Sequence, residues 1–384
     1  MVSGNPAASG WLMQGGLWPA LADRWAYVPL IGIFIIIAWG VPEVTPPCRL
    51  KQTGIVLMAT TLLCILSIIT WIQAGYWKNS QTLFEHALKV TSGNYVAHNN
   101  IGHELQLQGR MNEAVNHYLQ AIEIKPDYAL AHYNLGLSRN MQGRKDDAIR
   151  HLSEALRISP DYADAHYTMG NVLNDMGRHD EAESHYRQAI QIQPDNAEMH
   201  NNLATLYLNQ GKFEAAVFHF QQALRIKPDY SDAHFNLGNA LYQKGQTYDA
   251  VRHYLRAIEI DPDLAAAHIN LANALCDKGK VDEAIVHYLQ ALKRKPDSAE
   301  AHANLANVLR GEGQTDEAIE HYLLAIKLNP KLPETRNNLG VAYIFKGDIN
   351  QAIRCFQDAL TINPGYLSAK NNLSKAIIVK QQSN

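Results

Sequence analysis

Seventeen histidines, four cysteines and a few adjacent carboxylates are the residues of this 384-residue chain most suited to chemistry. Fourteen of the histidines fall into two evenly stepped columns. One runs His98, His132, His166, His200, His234, His268 and His302; the other runs His117, His151, His185, His219, His253, His287 and His321. Residues locked to a repeat answer first to packing, and no HExxH or paired Cys/His spacing accompanies them, so no metal site is expected. Cys48, Cys64, Cys276 and Cys355 are irregularly spaced without a CxxC, which argues against a disulfide framework. The pairs Asp180–Glu181, Asp282–Glu283 and Asp316–Glu317 stand where a helix starts. Acidic groups are favourable there, beside unpaired N–H groups and the positive end of the helix dipole. "GEGQTDE" (311–317) follows no strand and lacks the phosphate-loop lysine. No catalytic constellation and no cofactor are expected.

The asparagines behave differently. Asn100, Asn134, Asn202, Asn236, Asn270, Asn304, Asn338 and Asn372 recur at one step, with Thr168 replacing one member. A second, partial column lies three residues on, at Asn171, Asn239, Asn273 and Asn307, and so shares the same helix face. Asn is a mediocre helix former, so packing alone does not call for it. An amide both donates and accepts. A ladder of amides in a groove can pair with the backbone of an extended peptide with little regard for its sequence. These residues are the candidate peptide-binding site, and the expected partners are proteins or extended peptides.

The elements that must position this ladder are written in the same step. Prolines recur at 126, 160, 194, 228, 262, 296, 330 and 364, 34 residues apart. Alanine columns through Ala250 and Ala257 and a glycine column through Gly245 keep that step. Each repeat reads as two helices. "AHFNLGNALYQKG" (233–245) places Leu237, Gly238 and Leu241 on one face of the first. Gly245 suits a left-handed cap, Pro262 ends the second helix, and Asp263 is placed to cap the next one. No single hairpin buries its apolar face alone, so stacking must supply the core of a right-handed, all-α solenoid. Eight repeats are expected over 95–366, preceded by a degenerate half-repeat at 78–94 and followed by a capping helix and tail at 367–384.

Residues 1–77 obey other physics. No charge lies between Trp25 and Pro42, nor between Gln52 and Trp77. A span needs about 20 apolar residues, so two transmembrane helices are expected, at about 25–42 and 53–74. Trp39, Trp71, Tyr76 and Trp77 lie near the ends, where amphipathic rings favour the interface. Arg49 and Lys51 in the intervening loop place it in the cytoplasm, and the repeats outside it, in a periplasm or lumen. The net charge of −3 gives no footprint for nucleic acid.

The 34-residue period and its columns resemble tetratricopeptide repeats. The "AHxNLxN" first helix is most similar to the array of the nucleocytoplasmic O-GlcNAc transferase family, whose groove asparagines hold protein substrates; that role would map onto the columns above. Chaperone-binding members carry a basic clamp for a C-terminal carboxylate. Here the neighbouring positions hold Asn99, Tyr133, Tyr167, Asn201, Phe235 and Ile269, which argues against carboxylate recognition. "ADRWAYVPLIG", two apolar runs, "WKNSQTLFEHALKV" and then repeats is the order found in the transmembrane-and-tetratricopeptide membrane proteins, which include protein O-mannosyltransferases. The resemblance implies a C-terminal part of a larger protein whose catalytic acidic residues lie upstream. Two functions are therefore expected: a membrane-anchored scaffold for extended protein segments or, alternatively, the acceptor-recognition part of a polytopic membrane glycosyltransferase.

Overall fold

The computed structural model describes residues 49–382, whose regular structure is helical throughout. Two compact units divide the chain at Gln193–Pro194. In the first, α1 (Arg49–Tyr76) and α2 (Ser80–Val90) lead into three helix pairs: α3 (Tyr95–Leu107) with α4 (Met111–Ile124), α5 (Ala129–Met141) with α6 (Lys145–Ile158), and α7 (Ala163–Asp175) with α8 (His179–Ile192). The second unit holds five pairs. They are α9 (Ala197–Asn209) with α10 (Phe213–Ile226), α11 (Ser231–Gln243) with α12 (Thr247–Ile260), α13 (Ala265–Asp277) with α14 (Val281–Arg294), α15 (Ala299–Gly311) with α16 (Thr315–Leu328), and α17 (Pro333–Lys346) with α18 (Ile349–Ile362). A last helix, α19 (Leu367–Gln382), packs Leu373 and Ala376 against Phe356 of α18.

The columns have local causes. Gly245 sits at φ +76° between α11 and α12, where its N–H reaches Tyr242 O at 2.8 Å and that of Gln246 reaches Leu241 O at 2.9 Å. These bonds satisfy carbonyls that the end of α11 would otherwise leave open. Acidic residues open most second helices, as Asp282 and Glu283 do in α14. The reading of Asp263 as a cap is corrected: Leu264 occupies the N-cap of α13 and no side chain caps that helix. The Asp263 N–H is instead held by the Asp261 carboxylate at 3.1 Å.

Each first helix packs on its own second helix and on the next first helix within the unit. Tyr118, Tyr186, Tyr254, Tyr288 and Tyr322, each at most 2 % exposed, project from the second helices into this seam. Small residues receive the rings. A Cβ added at Gly238 would lie 2.6 Å from the Tyr254 ring, and the equivalent positions elsewhere hold nothing larger than Ala204, Ala272 or Ala306. At this density one extra methylene forces a shift.

The α1–α2 corner is fixed by polar contacts. Asn79 and Thr82 form a capping box, the Thr82 hydroxyl donates to Tyr76 O at 3.0 Å, and the Tyr76 and His86 rings stack with centroids 3.7 Å apart. Phe84 and Leu88 of α2 then pack on the core of the first pair. The expected membrane helix at about 25–42 lies outside the described residues, and that at about 53–74 falls within α1. Among the described residues no single helix is long and apolar enough to cross a membrane. The stretch Thr60–Tyr76 falls short of the ~20 residues a span needs and qualifies only jointly with Ser80–Val90, from which it is bent by 113°. The expectation of two membrane-crossing helices is thus not supported by the described residues.

Candidate functional site: an amide ladder and an uncharged cavity

The asparagines do form a ladder, and its rungs join neighbouring repeats. In the second unit Asn270 Nδ2 donates to Asn239 Oδ1 at 2.8 Å, Asn304 to Asn273 at 3.2 Å, and Asn338 to Asn307 at 3.0 Å. Each accepting oxygen also takes the hydroxyl of a buried tyrosine from its own repeat: Tyr254 at 2.9 Å, Tyr288 at 2.5 Å and Tyr322 at 2.7 Å. Asn171 accepts from Tyr186 at 2.7 Å in the same way in the first unit. One amide oxygen therefore satisfies a neighbouring amide and a buried phenol together. A phenol buried without a partner would cost about 1–3 kcal/mol.

A second register occurs elsewhere. Asn134 donates to Asn99 at 2.9 Å, and Asn372 to Asn337 at 2.9 Å. The acceptor here precedes the ladder position instead of following it by three. Asn100, Asn202 and Asn338 each accept from the asparagine just before them, at 3.2–3.4 Å. Asn236 is the exception among the predicted site residues, its amide entering none of these hydrogen bonds. Its counterpart in the second register, Asn201, keeps a buried carboxamide oxygen without a partner.

Two readings from sequence change. The ladder has a structural role in every repeat pair where a rung forms, so the recurrence of Asn does not by itself require a ligand. Of the positions compared with a carboxylate clamp, Asn99 is 1 % exposed and Asn201 and Ile269 6 % each, whereas Tyr133, Tyr167 and Phe235 are half-buried. The lack of lysine at the three buried positions therefore says nothing about what a groove binds. The tyrosines were missed although the sequence signals them. Wherever the second column holds Asn (171, 239, 273, 307), Tyr stands fifteen residues on (186, 254, 288, 322). Where it holds Leu137, Thr205 or Val341, the partner is Leu152, Phe220 or Phe356, none of which carries a hydroxyl.

The ladder leaves capacity over. An amide has two N–H groups and two oxygen lone pairs, and the rungs use one N–H of Asn270, Asn304 and Asn338 and the oxygens of Asn239, Asn273 and Asn307. These residues are half-buried, so part of each side chain reaches solvent. Asn239, Asn270 and Asn273 border a cavity of about 580 Å³ walled by Leu208, Phe213, Tyr242 and Tyr254. No charged side chain lines it. Burial pushes the Tyr254 hydroxyl well above the ordinary phenol range, and burial together with Asp277 pushes Tyr242 up to about 12. Both stay protonated donors at neutral pH.

Among the described residues no group of three or more His, Cys, Asp or Glu is arranged to hold a metal. Burial raises the thiols of Cys276 and Cys355, the latter to about 11, away from nucleophilic thiolate. Glu181 and Glu283 pair with Arg178 and Lys280 in exposed ion pairs at 2.7 Å.

Tetratricopeptide-repeat family profiles match residues 161–229 and 333–366, and further repeat profiles 102–143, 139–177, 238–276, 272–313, 306–344 and 219–252. Among curated proteins, the human "Protein O-mannosyl-transferase TMTC3" is 31 % identical over 107 residues, 28 % of this chain. Human "Protein O-mannosyl-transferase TMTC1" is 29 % identical over 110 residues. The match spans only 12 % of the length of each. Among solved structures, the APC/C hetero-tetramer Cut9–Hcn1 superposes with a TM-score of 0.53 at 18 % identity, covering 75 % of this chain and 56 % of that one. PilF of Pseudomonas aeruginosa superposes at 0.50 with 22 % identity, covering 54 % and 95 %. These superpositions speak to fold alone. The profile matches run unbroken from 102 to 366, and on those repeats the chain belongs to the tetratricopeptide-repeat family.

Proposed function

We propose that this chain is a membrane-anchored scaffold that binds extended protein segments on the amide-bearing face of its repeats. The observation that carries the reading is the row of half-buried amides on α11, α13 and α15, with donors and acceptors left over, beside an uncharged cavity. Peptide backbone offers the complementary donors and acceptors, and the leucine, phenylalanine and tyrosine walls suit an uncharged side chain. A charged one would lose its hydration there without a counter-charge. The binding residues are Asn100, Asn134, Asn171, Asn202, Asn236, Asn239, Asn270, Asn273, Asn304, Asn307 and Asn338.

The anchor is α1. It is 28 residues long, carries no charge after Lys51, and exposes Leu57, Leu62, Leu63 and Trp71 around its circumference. A helix apolar on all sides needs apolar surroundings, and a bilayer provides them. On this reading the repeats lie outside the cytoplasm. A second reading has one specific support, the similarity of about 30 % to protein O-mannosyl-transferases: the repeats would then present protein acceptors to a membrane glycosyltransferase.

The test is fluorescence anisotropy of a labelled library of unstructured peptides against the full chain in mild detergent. Replacing Asn236, Asn270 and Asn304 together by Ala should weaken the best binders at least tenfold. Unchanged affinity in a folded variant would overturn the groove. A reporter fused after residue 384 that is active only in the cytoplasm would overturn the topology.

A further inference from the structure

The two histidine columns meet. In every one of seven repeats the first-helix imidazole faces the second-helix imidazole, Nδ1 to Nδ1, at 2.8–3.4 Å. Five of the first-column rings also place Nε2 on the carbonyl of the proline six residues earlier, at 3.0–3.2 Å. In a sixth, at His268, the Pro262 carbonyl takes Arg294.

These contacts fix the protons. A carbonyl only accepts, so Nε2 of His132, His166, His200, His234 and His302 carries the hydrogen. In a neutral imidazole Nδ1 is then the acceptor. The second-column ring must donate from its own Nδ1, which leaves its Nε2 bare. The alignment is head-on: at His166–His185 the ring centroids are 5.2 Å apart and the nitrogens 2.9 Å, and the excess is about one ring radius per imidazole. All seven pairs share this excess. A metal would need the two lone pairs to converge at about 2.0–2.1 Å on a point off that line. The geometry is that of a shared proton.

We propose that the seven pairs are acid-labile latches that hold each repeat's two helices, and in five repeats the preceding turn, together until the pair takes up its second proton. One added proton finds only the half-buried Nε2 of the second ring. A second must go on the accepting Nδ1, and it sets two N–H groups head-on. The surroundings do not reverse this. His166–His185 faces Glu181; His98–His117 faces Glu113 and Glu85; His302–His321 faces Glu317 and Glu320. His132–His151 sits among Arg139, Arg150, Asp147 and Glu154, and His234–His253 among Arg252, Arg256, Asp229 and Asp249. Arg294 and Glu283 face His268–His287, and Arg225 and Asp195 face His200. Burial, the largest cause in each case, lowers His151, His185, His253 and His268 to about 4.

The sign follows. The unfolded chain takes up protons at His151, His185, His253 and His268 near pH 6.5, and the folded chain resists them until about 4. Stability is therefore complete above 6.5 and lost as pH falls towards 4. Two measurements on the full chain in mild detergent test the latch. Histidine side-chain ¹⁵N correlation spectra at pH 7.5 should show the second-column rings as the Nδ1–H tautomer; finding them as Nε2–H would overturn the proposal without any mutation. Thermal unfolding should fall by ~10 °C or more between pH 7 and 4.5. That fall should shrink when His151, His185 and His253 are replaced by Gln. An undiminished fall in a folded variant would sink the latch.

Discussion

Two polar networks run through the repeats, and they differ in one property of their side chains. The amide ladder from Asn239 to Asn338 cannot titrate, and the imidazole pairs from His98–His117 to His302–His321 can. Both join elements through buried or half-buried hydrogen bonds. The ladder ties repeat to repeat and borders the cavity; the histidines tie the two helices of one repeat to each other. The face beside the cavity is built from groups indifferent to pH, whereas the seam between the two helices of a hairpin is built from groups that titrate.

The largest expected effect breaks this contrast with acid. Between pH 6.5 and 4 the unfolding midpoint should drop steeply, because the folded histidines resist protons that the unfolded ones accept. The cost of any ladder mutation, by contrast, should be the same at pH 7 and pH 5; denaturant titrations at both values check this. Next comes Asn273→Ala, which removes the acceptor of both Asn304 and Tyr288. It should cost about 2–3 kcal/mol in chemical denaturation, since it leaves a buried hydroxyl unpartnered. Smaller is the paired exchange Asn273→Val with Tyr288→Phe, which copies Val341 and Phe356 of the same chain. With no orphaned phenol it should cost less than about 1 kcal/mol, and a double-mutant cycle would expose the coupling. Smallest is Asn236→Ala. Outside the rungs, it should change stability by less than about 0.5 kcal/mol yet weaken peptide binding. A stability loss comparable to that of Asn273→Ala would mean that Asn236 is a rung after all.

Much of this was readable in the chain itself. The all-α hairpins, the turn glycines and the buried alanines follow from the 34-residue step, because each column answers a need met within one hairpin. The site was read in part. The two asparagine columns were found, and their common face is real, but the tyrosines that complete each rung were passed over, although their covariation with the second column is written in the sequence. The cap assigned to Asp263 failed because two residues compete for the turn, and Asp261 holds the backbone there. The clamp comparison carried little because Asn99, Asn201 and Ile269 are each buried within their own unit.

The sequence by itself determined the period, the helix pairs and which residue types recur, since local helix and turn chemistry repeats wherever the residues repeat. Tertiary structure alone decided the partners. Asn134 leans on Asn99, with His103 at the second-column position, and Asn270 on Asn239, with Phe235 offering no acceptor at the other. The histidines became pairs only when two helices closed head-on, a distance that no spacing along the chain specifies.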